Sequence, residues 1–292
     1  MSIPIMDACA LQDAIERLYA TGLPRGDFTG WRAIDEFYTV ATKQWTVITG
    51  IPGMGKSEWL DALLVNLASK GDWTFALYSP ENFPQELHAS KLLEKRTGLP
   101  FGRGPNTRMT VKEMREASAW VHEHFMWLTP SNNDYRSLLE AAMRFRSANA
   151  KFGVVLDPWN VLEHGDLGKL SETMYVSKAL TEVTNWVREH DIHVWIVAHP
   201  SKIFKDKNGD RPVPTPYDIA GSANWFNKPD NIITVHRDKE NKSQDVDIHI
   251  QKVRFKHVGK IGLATLQYDR TTGKYYEPNP YRVVGAGNDR QD

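Results

Sequence analysis

Eight consecutive residues constrain this chain more than any other feature: Gly50-Ile51-Pro52-Gly53-Met54-Gly55-Lys56-Ser57. They follow a short apolar run, Trp45–Thr49, and precede a segment, Glu58–Ser69, with Leu60, Leu63, Leu64 and Leu67 at helical spacing. A glycine-rich turn between a strand and a helix points its amide N–H groups inward. The helix end behind it adds partial positive charge. The result is a cradle for phosphate, and G-x-x-x-x-G-K-[ST] has that meaning only in this strand–turn–helix setting. All eight residues are therefore expected to contact a nucleotide. Lys56 would bridge the β- and γ-phosphates, and the Ser57 hydroxyl would hold Mg²⁺. The cofactors expected are ATP, or another NTP, and Mg²⁺.

The rest of the chain repeats that alternation. Strands are predicted at Thr74–Tyr78, Phe125–Leu128, Phe152–Leu156 and Ile192–Ala198. Helices are predicted at Pro84–Thr97, Val111–His124, Asp134–Ala148 and Ser171–His190. Phe152–Leu156 is almost wholly apolar, as a strand buried on both faces must be. Such alternation implies an α/β fold: a P-loop core with a mostly parallel sheet flanked by helices. After Ala198 the pattern changes to a Lys-, Gly- and Pro-rich loop, Lys202–Pro216. Strands near Asn231–His236, Val246–Arg254 and Leu263–Tyr268 then follow in hairpin-like succession, giving antiparallel strands at the C-terminal side. The predicted organisation is a leading arm over 1–25, one domain over 26–284 and a fraying tail over 285–292. The arm carries an amphipathic helix, Ala10–Ala20, with Leu11, Ile15, Leu18 and Tyr19 on one face. It either packs on its own domain or reaches a neighbouring subunit.

Composition narrows the function classes. Basic and acidic residues balance at 36 each, which excludes a polybasic nucleic-acid binder but not one that touches a strand through a few loops. A single cysteine, Cys9, excludes a disulfide framework and a Cys-based zinc site. There is no secretory leader and no run of about 18 apolar residues, so a soluble intracellular protein with no membrane partner is expected.

Three more residues stand at predicted strand ends. Asp157 closes the most apolar strand, on which a neighbour of the P-loop strand would place a carboxylate to position the metal through water. Taken alone, such an acid is more often a turn or helix cap. Glu81, in Ser79-Pro80-Glu81-Asn82, lies just past Thr74–Tyr78, read as the strand next to the P-loop strand, where it can align a water on the γ-phosphate. It can equally be an acid at the start of the helix that follows. His199 follows Ile192–Ala198, where an imidazole can contact the γ-phosphate. Most of the ten histidines must be surface or core residues.

These blocks, in this order, resemble the RecA-like motor domain of DnaB-type replicative helicases, above all the Twinkle-like and phage primase–helicase branch. The resemblance rests on Gly50–Ser57, Ser79–Asn82, Val155–Asp157, Ala198–Pro200, and the pair Asp218–Ala223 and Lys252–Arg254. It implies Glu81 as catalytic base, and His199 as phosphate sensor where DnaB itself carries Gln. It implies that Lys252 and Arg254 act in trans on a neighbour's nucleotide. Asp218–Ala223 is similar to the central loop that holds single-stranded DNA, with Gly221, Ser222 and Ala223 at the phosphates and Lys202 adding charge. The resemblance further implies a homo-oligomer, a hexameric ring moving 5′ to 3′, with a primase or polymerase as a further partner. With no primase zinc ligands or acidic cluster in the chain, no primase activity is expected. The alternatives are a RecA-type recombination ATPase, a small-molecule P-loop kinase and an ATP-gated loader.

Overall fold

The computed structural model describes residues 7–130, 133–162, 171–201, 212–220, 223–237 and 244–278. Strand β1 (Gln44–Thr49), buried at every position, lies inside the sheet. Strands β5 (His193–Val197) and β6 (Asn231–His236) flank it in parallel, so Val47 faces Ile196 on one side and Ile232 on the other. Beyond β5 come β4 (Lys151–Leu156), β2 (Trp73–Tyr78) and the edge strand β3 (Phe125–Trp127), all parallel. Beyond β6 the sheet turns antiparallel through β7 (Asp245–Val253), β8 (Gly262–Tyr268) and β9 (Tyr275–Tyr276). The order is β3-β2-β4-β5-β1-β6-β7-β8-β9. The mostly parallel α/β sheet with antiparallel C-terminal strands is as expected from the sequence.

Side chains alternate across the sheet, and each face receives its own helices. Trp45 and Val47 point to one core and Ile48 to the other. The Ile48 side is covered by α3 (Lys56–Lys70), α4 (Gln85–Thr97) and α5 (Val111–His124). There Leu60, Leu63, Leu64 and Leu67 are buried, each stabilising the fold by about 2 kcal/mol. The Trp45 side is covered by α6 (Tyr135–Met143) and α7 (Glu172–His190), through Leu138, Leu139, Leu180 and Val183. Local chemistry sets the helix ends. Thr110 and Glu113 form a reciprocal capping box on α5, and Ser171 accepts from the Met174 N–H to start α7. Gly98, at φ 73°, ends α4 in the left-handed region that glycine tolerates.

Several expectations need correction. Helix α6 ends at Met143 rather than near Ala148. Past Met143 the side chains leave the core, and the N–H groups of Arg144 and Phe145 tighten onto the carbonyls of Ala141 and Ala142. Strand β6 pairs antiparallel with β7 but joins the parallel part of the sheet through β1. The short helix α2 (Arg32–Asp35) and strand β9 were not foreseen. The arm forms a 3-10 turn and then α1 (Gln12–Thr21), which buries none of its residues, with Ile15, Leu18 and Tyr19 exposed. No residue of α1 is therefore buried against its own domain. The tail over 285–292 lies outside the described residues. No helix among the described residues is long and apolar enough to cross a membrane.

Candidate nucleotide site

The loop Gly50–Gly55 links the buried end of β1 to the first turn of α3. Its glycines are required by geometry. A Cβ on Gly50 would lie 2.3 Å from the Val235 carbonyl oxygen of β6, and Gly55 sits at φ 91°. The turn is closed by the Met54 N–H on the Ile51 carbonyl at 3.2 Å. Lys56 is buried and folds back over the loop, its Nζ donating to the carbonyls of Gly50 at 2.8 Å and Ile51 at 3.4 Å. Burial pushes its pKa down to about 8, against the pull of Asp157 and Glu81. An ammonium in this setting gains from an anion arriving in the cradle.

Asp157 is buried at the end of β4, with the Ser57 hydroxyl near enough to favour its ionised form. Its carboxyl is pushed up to about 6, chiefly by burial. The Ser57 hydroxyl opposes this, and the carboxylates of Asp61 and Glu81 reinforce it. A charge that costs so much to bury, next to a hydroxyl and two further acids, is an environment that a divalent cation relieves. Among the described residues no three His, Cys, Asp or Glu side chains form a metal cage of their own. A cation at Ser57 and Asp157 would therefore take its remaining ligands from phosphate and water, the usual habit of Mg²⁺.

Neither Asp157 nor Glu81 lies on a strand next to β1, contrary to expectation. Strand β5 intervenes before β4, and both β5 and β4 before β2. β1 and β2, consecutive in the chain, are thus separated by two other strands in the sheet, at about 4.8 Å per step. The side chains still converge. Glu81 and Asp157 both act electrostatically on Lys56. Glu81 Oε1 lies 3.8 Å from His199 Nε2. Burial and the Lys56 charge lower the His199 pKa, with Glu81 opposing. The His199 N–H is held by the side-chain oxygen of Asn160 at 3.0 Å, and Asn160 carried no sequence signal. Directly after His199, Ser201 donates through both its N–H and its hydroxyl to the Asp218 carbonyl, each at 2.6 Å, and Pro200 bridges to Ile219. The strand end bearing His199 is thereby tied to the segment that the sequence assigned to DNA.

Of that segment, Lys202, Gly221 and Ser222 lie outside the described residues. Ala223 is exposed at the start of α8 (Asn224–Asn227), and α8 is pinned by Trp225 Nε1 donating to the Ala220 carbonyl at 3.0 Å. Lys252 and Arg254 stand at the far side of β6 and are not brought to the P-loop. Lys252 Nζ donates to the carbonyls of Phe226 and Asn227 at 2.6 and 3.1 Å. Arg254 binds the buried Asp230 through Nε at 2.8 Å, and its Nη2 donates to the carbonyls of Asn227, Lys228 and Pro229. Both cations therefore brace the exit of α8. Sequence reasoning also missed Tyr275 of β9, whose hydroxyl approaches the Gly55 carbonyl at 3.5 Å.

Comparison with known proteins places this geometry. The family model described as the DnaB-like helicase C terminal domain matches residues 26–277. The Twinkle homolog protein, chloroplastic/mitochondrial, of Arabidopsis thaliana is 39% identical over 288 residues, covering 93% of this chain and 40% of that protein. The chain thus spans about two fifths of the length of that relative. Among solved structures, one described as an ATPase domain superposes with a TM-score of 0.76 at 18% identity, over 94% of this chain and all of that one. A DnaB-like replicative helicase, solved for its interactions with primase, gives 0.76 at 18% over 92% of this chain and 68% of that chain. The RadB recombinase gives 0.56 at 16% over 86% of this chain and 99% of its own. At these identities the structures share the RecA-like ATPase fold. On the family match over residues 26–277, this chain belongs to the DnaB-like helicase C-terminal domain family.

Proposed function

We propose that the chain is the motor of a ring-forming, ATP-driven DNA helicase that translocates on single-stranded DNA. The observation that carries this reading is the convergence of Lys56, the Ser57–Asp157 pair and the Glu81–His199 pair on one loop, in a member of this family. Gly50–Ser57 would bind the phosphates of ATP or another NTP. Ser57 would hold Mg²⁺ directly, and Asp157 through water. The cation would supply charge neutralisation at the β- and γ-oxygens. Glu81, an exposed carboxylate within reach of the loop, would accept a proton from the attacking water. His199 would sense the γ-phosphate. The Ser201–Asp218 tie would pass its movement to the loop that includes Gly221, Ser222 and Ala223, with Lys202 contributing positive charge to the strand's phosphates.

Lys252 and Arg254 would act on a neighbouring subunit's nucleotide, so activity would require a homo-oligomer, read as a hexamer. The unpacked α1 is consistent with an arm that docks on that neighbour. Domain limits at 1–25 and 26–284 follow the same reading, as does a primase or polymerase as further partner. A forked duplex tests the function. Displacement of the annealed strand from forks with a 5′ loading tail, and not from those with only a 3′ tail, is expected. ATP-independent displacement, or none from either fork by an assembled ring, contradicts it.

A further inference from the structure

The turn that carries Glu81 is anchored from outside the site. Asn82 binds back within the turn, its N–H to the Ser79 carbonyl at 3.1 Å and its Nδ2 to Ser79 Oγ at 2.9 Å. Its remaining oxygen, Oδ1, accepts from Lys91 Nζ of α4 at 3.0 Å. The same ammonium lies 2.9 Å from Glu58 Oε1. Glu58 follows Ser57 in the first turn of α3, and its other oxygen holds the buried Lys95 at 2.6 Å. Burial works against the Glu58 charge, but Lys95 and Lys91 prevail and hold its carboxyl below the usual range.

A part-exposed ion pair between two helices would need only Lys91 and Glu58, and pairs of this kind near the surface contribute little. The third contact, to a neutral amide in the Glu81 turn, is what a merely stabilising pair does not call for. An ammonium has three donors at fixed angles, so two occupied partners define the position of each relative to the other.

We propose that Lys91 is a positioning residue for hydrolysis. By bridging Asn82 and Glu58, it fixes the Glu81 turn against the helix that begins with Lys56 and Ser57. It touches neither nucleotide nor water and acts through Glu81, so the proposal rests on Glu81 being the base. Misplacement of a reacting group by about 1 Å costs roughly a hundredfold in rate, which sets the scale of the effect.

The test uses the full chain with single-stranded DNA, measuring ATP hydrolysis, affinity for a fluorescent ATP analogue, and melting temperature. Lys91→Met is expected to lower kcat about 10- to 100-fold with analogue affinity within about threefold of wild type. Asn82→Ala removes the acceptor while leaving the Glu58 ion pairs in place, and is expected to lower kcat similarly with an unchanged melting temperature. The double variant should be no slower than either single one. Wild-type kcat in Asn82→Ala, or additive losses tracking the melting temperature, overturns the positioning role. Glu81→Gln separates the two layers. If it is inactive while Lys91→Met is normal, only the role of Lys91 falls. If Glu81→Gln turns over normally, the base assignment falls and takes this proposal with it.

Discussion

Glu81 and His199 meet at 3.8 Å, Oε1 to Nε2, although their strands, β2 and β5, are separated by β4. The contact places the proposed base within reach of the residue that would report on the γ-phosphate. Glu81→Gln should keep nucleotide affinity within a few-fold, because the phosphates are proposed to bind Gly50–Ser57 rather than Glu81. It should lower turnover by about 10² to 10⁴. Equilibrium binding of a fluorescent nucleotide, set beside steady-state hydrolysis, checks both halves. Normal turnover would remove Glu81 from the chemistry.

Arg254 is anchored on one edge. Its Nε is held by the buried Asp230 and its Nη2 by three carbonyls, which fixes the plane of the guanidinium. Arg254→Ala should leave nucleotide binding nearly intact and lower turnover by about 10³ to 10⁵ if it completes a neighbour's site. Mixing it with Lys56→Ala should restore partial activity, since each variant would supply what the other lacks. The same change leaves Asp230 with a buried, poorly paired carboxylate, so a stability loss of about 1–3 kcal/mol, read as a lower melting temperature, is expected too. Failure of the mixed variants to complement, in particles shown to be mixed oligomers, would place Arg254 outside any shared site.

His193 makes stability depend on pH. It is fully buried, its Nδ1–H donating to the Ala41 carbonyl at 2.7 Å and its Nε2 accepting from the Thr46 hydroxyl at 3.0 Å. Burial lowers its pKa from 6.5 to about 4. The unfolded chain therefore binds the proton first. This contribution is fully present above pH 6.5 and is lost as pH falls towards 4, by about 3 kcal/mol. Chemical denaturation between pH 4 and 7.5 should show that slope, and His193→Leu, though less stable throughout, should flatten it. An unchanged slope in the variant would assign the acid sensitivity to other groups.

Gly153 in β4 has no room for a side chain. A Cβ there would lie 2.6 Å from the Trp195 ring and 2.7 Å from Phe75. Gly153→Ala should destabilise the domain by about 1–3 kcal/mol, read as a lower midpoint in urea. A neutral effect would mean that the two rings repack freely.

The strand–turn–helix around Gly50–Ser57 was legible because its glycine pattern lies in consecutive residues, and the position of Asp157 because it ends a strand too apolar to lie anywhere but inside. Strand order was not. Nothing local in Thr74–Tyr78 says that two strands will come between it and β1, so Glu81 was assigned to the wrong neighbour while its placement near Lys56 was anticipated. Asn160, Lys91 and Tyr275 left no mark in the sequence, because each contacts the site or its supporting turns from an element whose position is set by packing rather than by pattern. The proposed cross-subunit roles of Lys252 and Arg254 come only through resemblance. Within one chain they hold carbonyls at the exit of α8.

The central claim, that this domain hydrolyses ATP at sites shared between subunits and engaged with DNA, is tested most directly by steady-state hydrolysis. The rate should be measured with and without single-stranded DNA over a wide range of protein concentration. Stimulation by DNA is expected, with a specific activity that climbs steeply with concentration as Arg254 of one copy reaches the nucleotide of the next. A rate per chain that stays flat with concentration and indifferent to DNA would contradict it.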